Sequence, residues 1–418
     1  MNTDFDVIVV GGGPVGATTA ALLARHGGLT PARIALLAPE LAAVSVEPAP
    51  DAAPELRVSA LSRASEQILA QAGAWALLPV ARLCAYQRMQ VWHASVPADG
   101  AAVLRFDAAE LAEPDLGHIV ENRALTHAAL GAFRTAGGTL LPMSAMGLAS
   151  DPERITLQGE RGALTARLVV GADGAHSQVR EWLGITLSTH DYRQTAIVAT
   201  VATERPHQHT AWQRFLPSGP LALLPLFDGS CSIVWSADAE LARELMALPP
   251  AQFAARLDGA SDRVLGGTRL CSERLAVPLQ RRVAHDLIGP RAALLGDAAH
   301  VVHPLAGQGV NLGLLDAAAL VEALAAAVAE GEDPGAMRIL RGYEQARLTH
   351  NALMSAAMSA FNELFSRSGG PAGWLAGQLL GLAGARAATR RWFARRALGL
   401  SGELPALARA EFLPRSAA

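Results

Sequence analysis

Cysteine is scarce in this chain of 418 residues: only Cys84, Cys231 and Cys271 occur, far apart in sequence. They form no disulfide framework and have no metal-ligand spacing, so the expectation is a reducing compartment and no metal. Aromatic residues are 5% of the chain and the tryptophans do not gather into one platform. The formal net charge of -3 gives no basic field of the kind that recruits nucleic acid. No uninterrupted apolar run reaches the ~18 residues of a membrane span. The best stretch, Ala317 to Ala329, is short and carries Glu322. The acidic N-terminus runs straight into an apolar strand, with no leader pattern. These absences point to a cytoplasmic protein, long enough for two or more folding units.

Glycine, in contrast, is placed with purpose. Phe5 to Val10 reads as a buried parallel strand, Pro14 to His26 as a helix and Arg33 to Ala38 as the next strand, a βαβ unit. Between the first strand and helix stands G-G-G-P-V-G, in which Gly11, Gly13 and Gly16 fit G-x-G-x-x-G. The first glycine permits the tight turn, the second lets backbone approach a pyrophosphate and the third lets helix and strand pack closely. The pattern calls for a ribose-binding acid at the end of the second strand. Ala38 stands there, and Glu40 follows two residues later. Either Glu40 reaches back to the ribose or it is an exposed loop residue.

Three further segments carry chemistry. L-R-V-S-A-L-S offers Arg57 ahead of a helix over Ala64 to Ala72. G-A-D-G-A-H-S-Q-V-R puts Asp173 after the strand Ala166 to Val170, with Ser177 and Arg180 one helical turn apart. L-G-D-A-A-H-V-V-H-P-L-A-G-Q-G-V-N-L-G, from Leu295 to Gly313, ends a strand in Gly-Asp and opens a long Ala/Leu helix at Val310. A carboxylate there, Asp297, can accept hydrogen bonds from sugar hydroxyls, and the free N–H groups of a helix start favour electron-rich groups. Each alone is also compatible with an ordinary turn or surface charge. Arg123 to Ala136 has helical periodicity with Asn122 as its cap. Ala196–Ala202, Ala211–Leu216, Leu221–Leu226 and Cys231–Trp235 read as antiparallel strands of a second unit.

Taken in order, these motifs resemble the single-component FAD-dependent aromatic hydroxylases of the p-hydroxybenzoate hydroxylase fold, over roughly residues 4 to 365. Within that class the chain is most similar to the ubiquinone-biosynthesis hydroxylases, notably those acting on 2-polyprenyl-6-methoxyphenol. The resemblance implies an α/β fold with an α+β second domain. A Rossmann-like FAD-binding domain (1–72, 98–182 and 270–350) interleaves with an antiparallel-sheet substrate domain (73–97 and 183–269). A helical region, 351–418, follows. It implies that Gly11, Gly13, Pro14, Gly16, Glu40, Arg57, Asp173, Asp297, Pro304, Gly307, Gly309, Val310 and Asn311 serve the FAD, with adenosine-ribose recognition the point of departure at Ala38.

The implied reaction is ring hydroxylation of a polyprenylated phenol, with NAD(P)H as transient reductant and O2 as co-substrate, through a flavin C4a-hydroperoxide. His303 and His300 are the titratable groups nearest the flavin loop; bracing that loop is favoured over a part in the chemistry. Leu223, Leu224 and Leu226 are expected to receive the prenyl tail. The Met354, Met358, Phe361 and Phe365 stripe is read first as helix core. Partners would be the phenol and other ubiquinone-biosynthesis proteins, without nucleic acid. The arginine-rich tail from 371 to 412 reads as a solvated or partner-facing helix. The lipid nature of the substrate raises peripheral contact with the inner membrane as an alternative. Rival functions are hydroxylation of a small soluble aromatic or natural product, and a catalytically silent flavoprotein scaffold.

Overall fold

The computed structural model describes residues 3–41, 49, 52–302, 308–349, 351, 395 and 403–409. His303, Pro304, Gly307, the Met/Phe stripe and nearly all of the arginine-rich tail lie outside the described residues. The chain opens with β1 (Phe5–Val10), α1 (Pro14–His26) and β2 (Ile34–Leu37). Apolar residues run through both strands without alternation, as expected of a parallel sheet covered on both faces. β3 (Val58–Leu61) and α2 (Arg63–Gln71) follow, then β4 (Cys84–Ala85), β5 (Arg88–His93), β6 (Leu104–Asp107), β7 (His118–Glu121) and α3 (Asn122–Thr135). Glu121 takes the N-cap position of α3, while the Asn122 Oδ1 accepts from the Ser59 hydroxyl at 2.6 Å. The asparagine thus ties α3 to β3 instead of capping.

β8 (Thr139–Leu141), β9 (Ala145–Ser150), β10 (Ile155–Gly159) and β11 (Gly162–Gly171) complete most of the first sheet, and α4 (Gln178–Trp182) follows. The second sheet is built from β12 (Leu187–Thr203), β13 (Thr210–Leu216), β14 (Gly219–Pro225) and β15 (Cys231–Asp238). After α5 (Ala239–Ala247) and α6 (Pro250–Ala260) it gains β16 (Thr268–Leu270) and β17 (Leu275–Ala284). The chain then returns to the first sheet with β18 (Ile288–Gly289) and β19 (Ala292–Leu294), adds β20 (His300–Val301) to the second, and enters α7 (Gln308–Ala329).

The first sheet runs β18-β19-β11-β1-β2-β8, with β1 parallel to both β11 and β2, and β19 parallel to β11. The second runs β20-β17-β12-β15-β14-β13-β5-β6, mostly antiparallel. β3, β7 and β4 form a small third sheet. The sheets are therefore woven from separated segments. β6 and β17, expected in the FAD-binding part, hydrogen-bond into the second sheet.

Chain reversal of this kind puts the ends of β1, β11 and β19 side by side. The main core joins these strands to α1, α3 and α7. α7 is long and apolar enough to cross a membrane by composition, a longer run than Ala317 to Ala329. It is a core helix, however: Leu312, Leu314, Ala317, Leu320, Val321 and Leu324 are all buried. Its Glu322 accepts the Leu407 N–H at 2.7 Å.

Candidate active site

Gly11 ends β1 with φ +114° and approaches the chain after β11 so closely that a Cβ would lie 2.8 Å from the Asp173 Cα. A Cβ at Gly16 would collide with the Gly11 carbonyl oxygen. These two glycines let α1 start directly against the sheet. Gly13 differs: a Cβ there would meet nothing within 4 Å. Its open side faces the start of α1, which has no side-chain cap, no acid in its first turn and Pro14 at its first position. An uncapped N-terminus beside open space is suited to an anion.

Val15, in the first turn of α1, carries that corner to the next motif. Its side chain stands 3.2 Å from a Cβ built at Gly296 and 2.7 Å from one built at Gly313. Larger residues at 296 or 313 would push α1 and α7 apart. Gly296 makes the turn, φ +60°, that presents Asp297. The Asp297 carboxylate is open to solvent, yet protein encloses it on most sides: it forms the floor of a cleft. Enclosure raises its pKa, against the opposing charges of His300 and Arg57. Among the described residues its oxygens accept no hydrogen bond. The Oδ1 would be 3.9 Å from a Cβ at Gly309, at the first turn of α7. Arg57 is exposed and close enough to act on that carboxylate.

Behind this floor lies a buried network that sequence reasoning did not find. Asp316, fully buried on α7, accepts from the His300 Nε2 at 2.5 Å, the Arg347 Nε at 2.8 Å, the Asn351 Nδ2 at 3.0 Å and the Gly296 N–H at 3.2 Å. Burial opposes the carboxylate charge, but His300 and Arg347 outweigh it and hold Asp316 well below the ordinary range. Burial likewise opposes an imidazolium at His300, and Asp316 overcomes it, so His300 titrates above its usual value. His300 is 2% exposed. It clamps the Gly296–Asp297 turn from behind and does not face the cleft as a reactant. The signal in the sequence was a single aspartate set deep in an apolar helix.

Asn311 is buried and turned inward. Its Oδ1 accepts from the Ser62 N–H at 3.0 Å and the Ser65 hydroxyl at 2.6 Å, and its Nδ2 donates to the Ala60 carbonyl at 2.8 Å. It staples α7 to the segment that carries Arg57. Asp173 spends its carboxylate on α4, accepting from the Ser177 hydroxyl at 2.5 Å and the N–H groups of Gln178 and Val179. Arg180, buried, donates to the Ala298 carbonyl at 2.9 Å and so ties this motif to the Asp297 turn. Glu40 is exposed, and its Oε1 would be 3.5 Å from a Cβ at Gly12, beside the glycine loop.

The three leucines expected at the substrate separate because adjacent strand residues point to opposite faces. Leu223 packs with α5 and α6 on the far face of the second sheet. Leu224 and Leu226 join Ala60, Tyr86 and Ile119 on the other side. That face also holds Ser232, opposite Leu224, and Thr200, opposite Ser232. Both hydroxyls are buried without a hydrogen-bond partner. Thr200 borders a cavity of about 410 Å3 that is shared with Ala53 and Pro54, just ahead of Arg57. Sequence reasoning also missed Glu66, Asp115 and His118, whose ligand-type atoms lie within 4.8 Å of one another. Arg63 already pairs with both acids, so their charge is met without a metal.

A glycine-lined open corner, an accessible carboxylate that accepts no hydrogen bond among the described residues, and an arginine beside it have the chemistry that a dinucleotide with sugar hydroxyls requires, as in flavin-dependent enzymes. A family profile described as an FAD binding domain matches residues 151–357. The chain is 37% identical over 374 residues to the 3-demethoxyubiquinol 3-hydroxylase of Escherichia coli, covering 88% of this chain and 91% of that protein. It is 35% identical over 417 residues to the human mitochondrial ubiquinone biosynthesis monooxygenase COQ6, covering 88% and 87%. The p-nitrophenol 4-monooxygenase of Pseudomonas putida shares the fold, with a TM-score of 0.72 at 22% identity, over 96% of this chain and all of that one. The chain belongs to the FAD-dependent hydroxylases of ubiquinone biosynthesis.

Proposed function

We propose that this hydroxylase acts on the ring of a polyprenylated phenol, with FAD held between the Gly11–Gly16 loop and the Asp297 turn. The observation that carries the reading is the Asp297 carboxylate, accessible on the cleft floor and accepting no hydrogen bond among the described residues. Bound FAD, reduced by NAD(P)H, supplies the activation of O2. The chain's own residues bind, orient and exclude. The α1 N-terminus and Gly13 take the pyrophosphate, Asp297 accepts from ribityl hydroxyls, and Arg57 offsets negative charge. Glu40 takes the adenosine ribose in place of an acid at Ala38. The first turn of α7, at Gly309 and Val310, directs its dipole at charge that develops on the ring system.

His300 and Asp316 hold the turn fixed. Leu224 and Leu226 contribute to the apolar side of the second sheet that faces Ala60 and the Arg57 segment.

The test combines flavin binding with product analysis. Apo-enzyme titrated with FAD should lose at least about tenfold in affinity on Asp297→Ala, as expected when hydrogen bonds to a charged acceptor are removed. Wild-type holoenzyme with NADH or NADPH should hydroxylate a prenylated phenol far faster than a short soluble one. Equal turnover of the two would sink the lipid assignment, and flavin that neither nicotinamide reduces would favour a scaffold.

A further inference from the structure

The loop between α2 and β4 shows apolar side chains to solvent in a way the fold does not require. Val80 is 83% exposed and Leu77 48% exposed, and Ala76 and Ala81 are exposed beside them. The loop is not free to fold them away. Trp75 packs edge-on against His118 with ring centroids 5.2 Å apart, Leu78 is buried, and Arg82 is locked to Glu121 by two 2.7 Å bonds. Each anchor holds the intervening side chains outward.

The charged residues that the loop, α1 and α3 themselves carry are all basic. The loop runs antiparallel along α3, from Arg82 beside Glu121 at its start to Leu77, whose Cδ1 lies 3.3 Å from a Cβ built at Gly131. One turn either way on that face stand His127 and Arg134. Arg25, at the end of α1, lies over Gly73. Arg25 and Arg134 are exposed, and among the described residues neither has an ion pair. α1, α3 and residues 72–82 contain no aspartate or glutamate at all, in a chain whose net charge is -3. Among the described residues the acids paired to this strip are Glu121, buried against Arg82, and Glu55, which meets Arg123 at 3.8 Å.

We propose that this strip, Leu77 and Val80 framed by Arg25 and Arg134, docks the enzyme on an anionic lipid bilayer. Branched aliphatic side chains on a rigid protrusion suit insertion among acyl chains, and exposed arginines suit phosphate headgroups. Protein interfaces, in contrast, favour aromatic anchors set in pockets. The proposal rests on the reading that the substrate is a prenylated lipid, but its test does not.

Holoenzyme is sedimented with vesicles of phosphatidylcholine, with and without phosphatidylglycerol. The wild type should bind the anionic vesicles and largely spare the neutral ones. Leu77→Asn with Val80→Asn should lower the partition coefficient by on the order of tenfold or more, as loss of inserted apolar surface requires. Arg25→Glu with Arg134→Glu should abolish the preference for phosphatidylglycerol. Both variants should keep wild-type FAD content and wild-type turnover of a short soluble phenol, so vesicle binding is read apart from catalysis. The proposal fails if the wild type ignores both vesicles or if the variants bind as it does. It fails too if only removal of residues 371–412 releases the enzyme, or if the variants lose a protein partner while vesicle binding persists.

Discussion

Asp316→Asn is the sharpest single perturbation of the cofactor floor. The substitution keeps side-chain volume and removes one charge at a fully buried position that accepts four hydrogen bonds. Arg347, 2% exposed, loses the one counter-charge it has among the described residues, and His300 loses the group that most favours its protonation. Breaking a buried ion pair in this way costs about 3–5 kcal/mol. The pH dependence has a definite sign. His300 titrates above its ordinary value, so its contribution is complete below about 6.5 and is lost as pH rises through its folded value. Asp316 titrates below its ordinary value, so its contribution is lost only as pH falls through that low value. Urea denaturation of FAD-free wild type and variant at several pH values reads the difference. It should be largest in mildly acidic solution and shrink in alkali. A gap under about 1 kcal/mol, or one that does not change with pH, would refute the clamp, because a buried pair is expected to exceed that.

Two glycine variants should separate fold from cofactor. Gly13→Ala meets no protein atom within 4 Å, so the melting temperature of the FAD-free protein should hold while flavin fluorescence titration shows affinity falling; unchanged affinity would move the pyrophosphate elsewhere. Gly16→Ala collides with the Gly11 carbonyl and should lower that melting temperature itself. Arg82→Leu leaves the buried Glu121 with the Glu55 N–H but without the cation that pairs with it, and should cost about 3–5 kcal/mol in urea denaturation, whereas Arg82→Leu with Glu121→Leu should cost less than the single change.

The βαβ opening was legible because glycine spacing and uninterrupted apolar runs are local properties. The same holds for the four strands of the second sheet: three fall within observed strands, and Leu221–Leu226 overruns the end of β14 by one residue. What escaped was set by pairing across distance. β6 has no local mark of belonging to the second sheet; its register with β5 decides that. Leu223 and Leu224 look alike in sequence, and only the pleat separates their destinations. Asn311 and Asp173 sit in motifs associated with the cofactor, yet their side chains are engaged in holding other motif segments in place. A motif records that a residue type is needed, without saying whether it faces the ligand or its neighbours.

The staple at Asn311 bears on how such a chain comes to be folded at all. Its partners Ser62 and Ala60 precede it by 249 and 251 residues. During synthesis the glycine loop and the Arg57 segment emerge early and must wait, backbone groups unmatched, for most of the protein to follow. β1 in turn needs β11, and β11 needs β19, before the central sheet has both flanks. Contacts this remote carry a large loop-closure cost and slow folding. Until residue 311 is available, the nascent chain exposes apolar strand edges, a state in which aggregation competes with completion. A truncation that ends before α7 would therefore keep Asp297 but lose Asp316 and Asn311, which brace its turn and tie the first third of the chain in place.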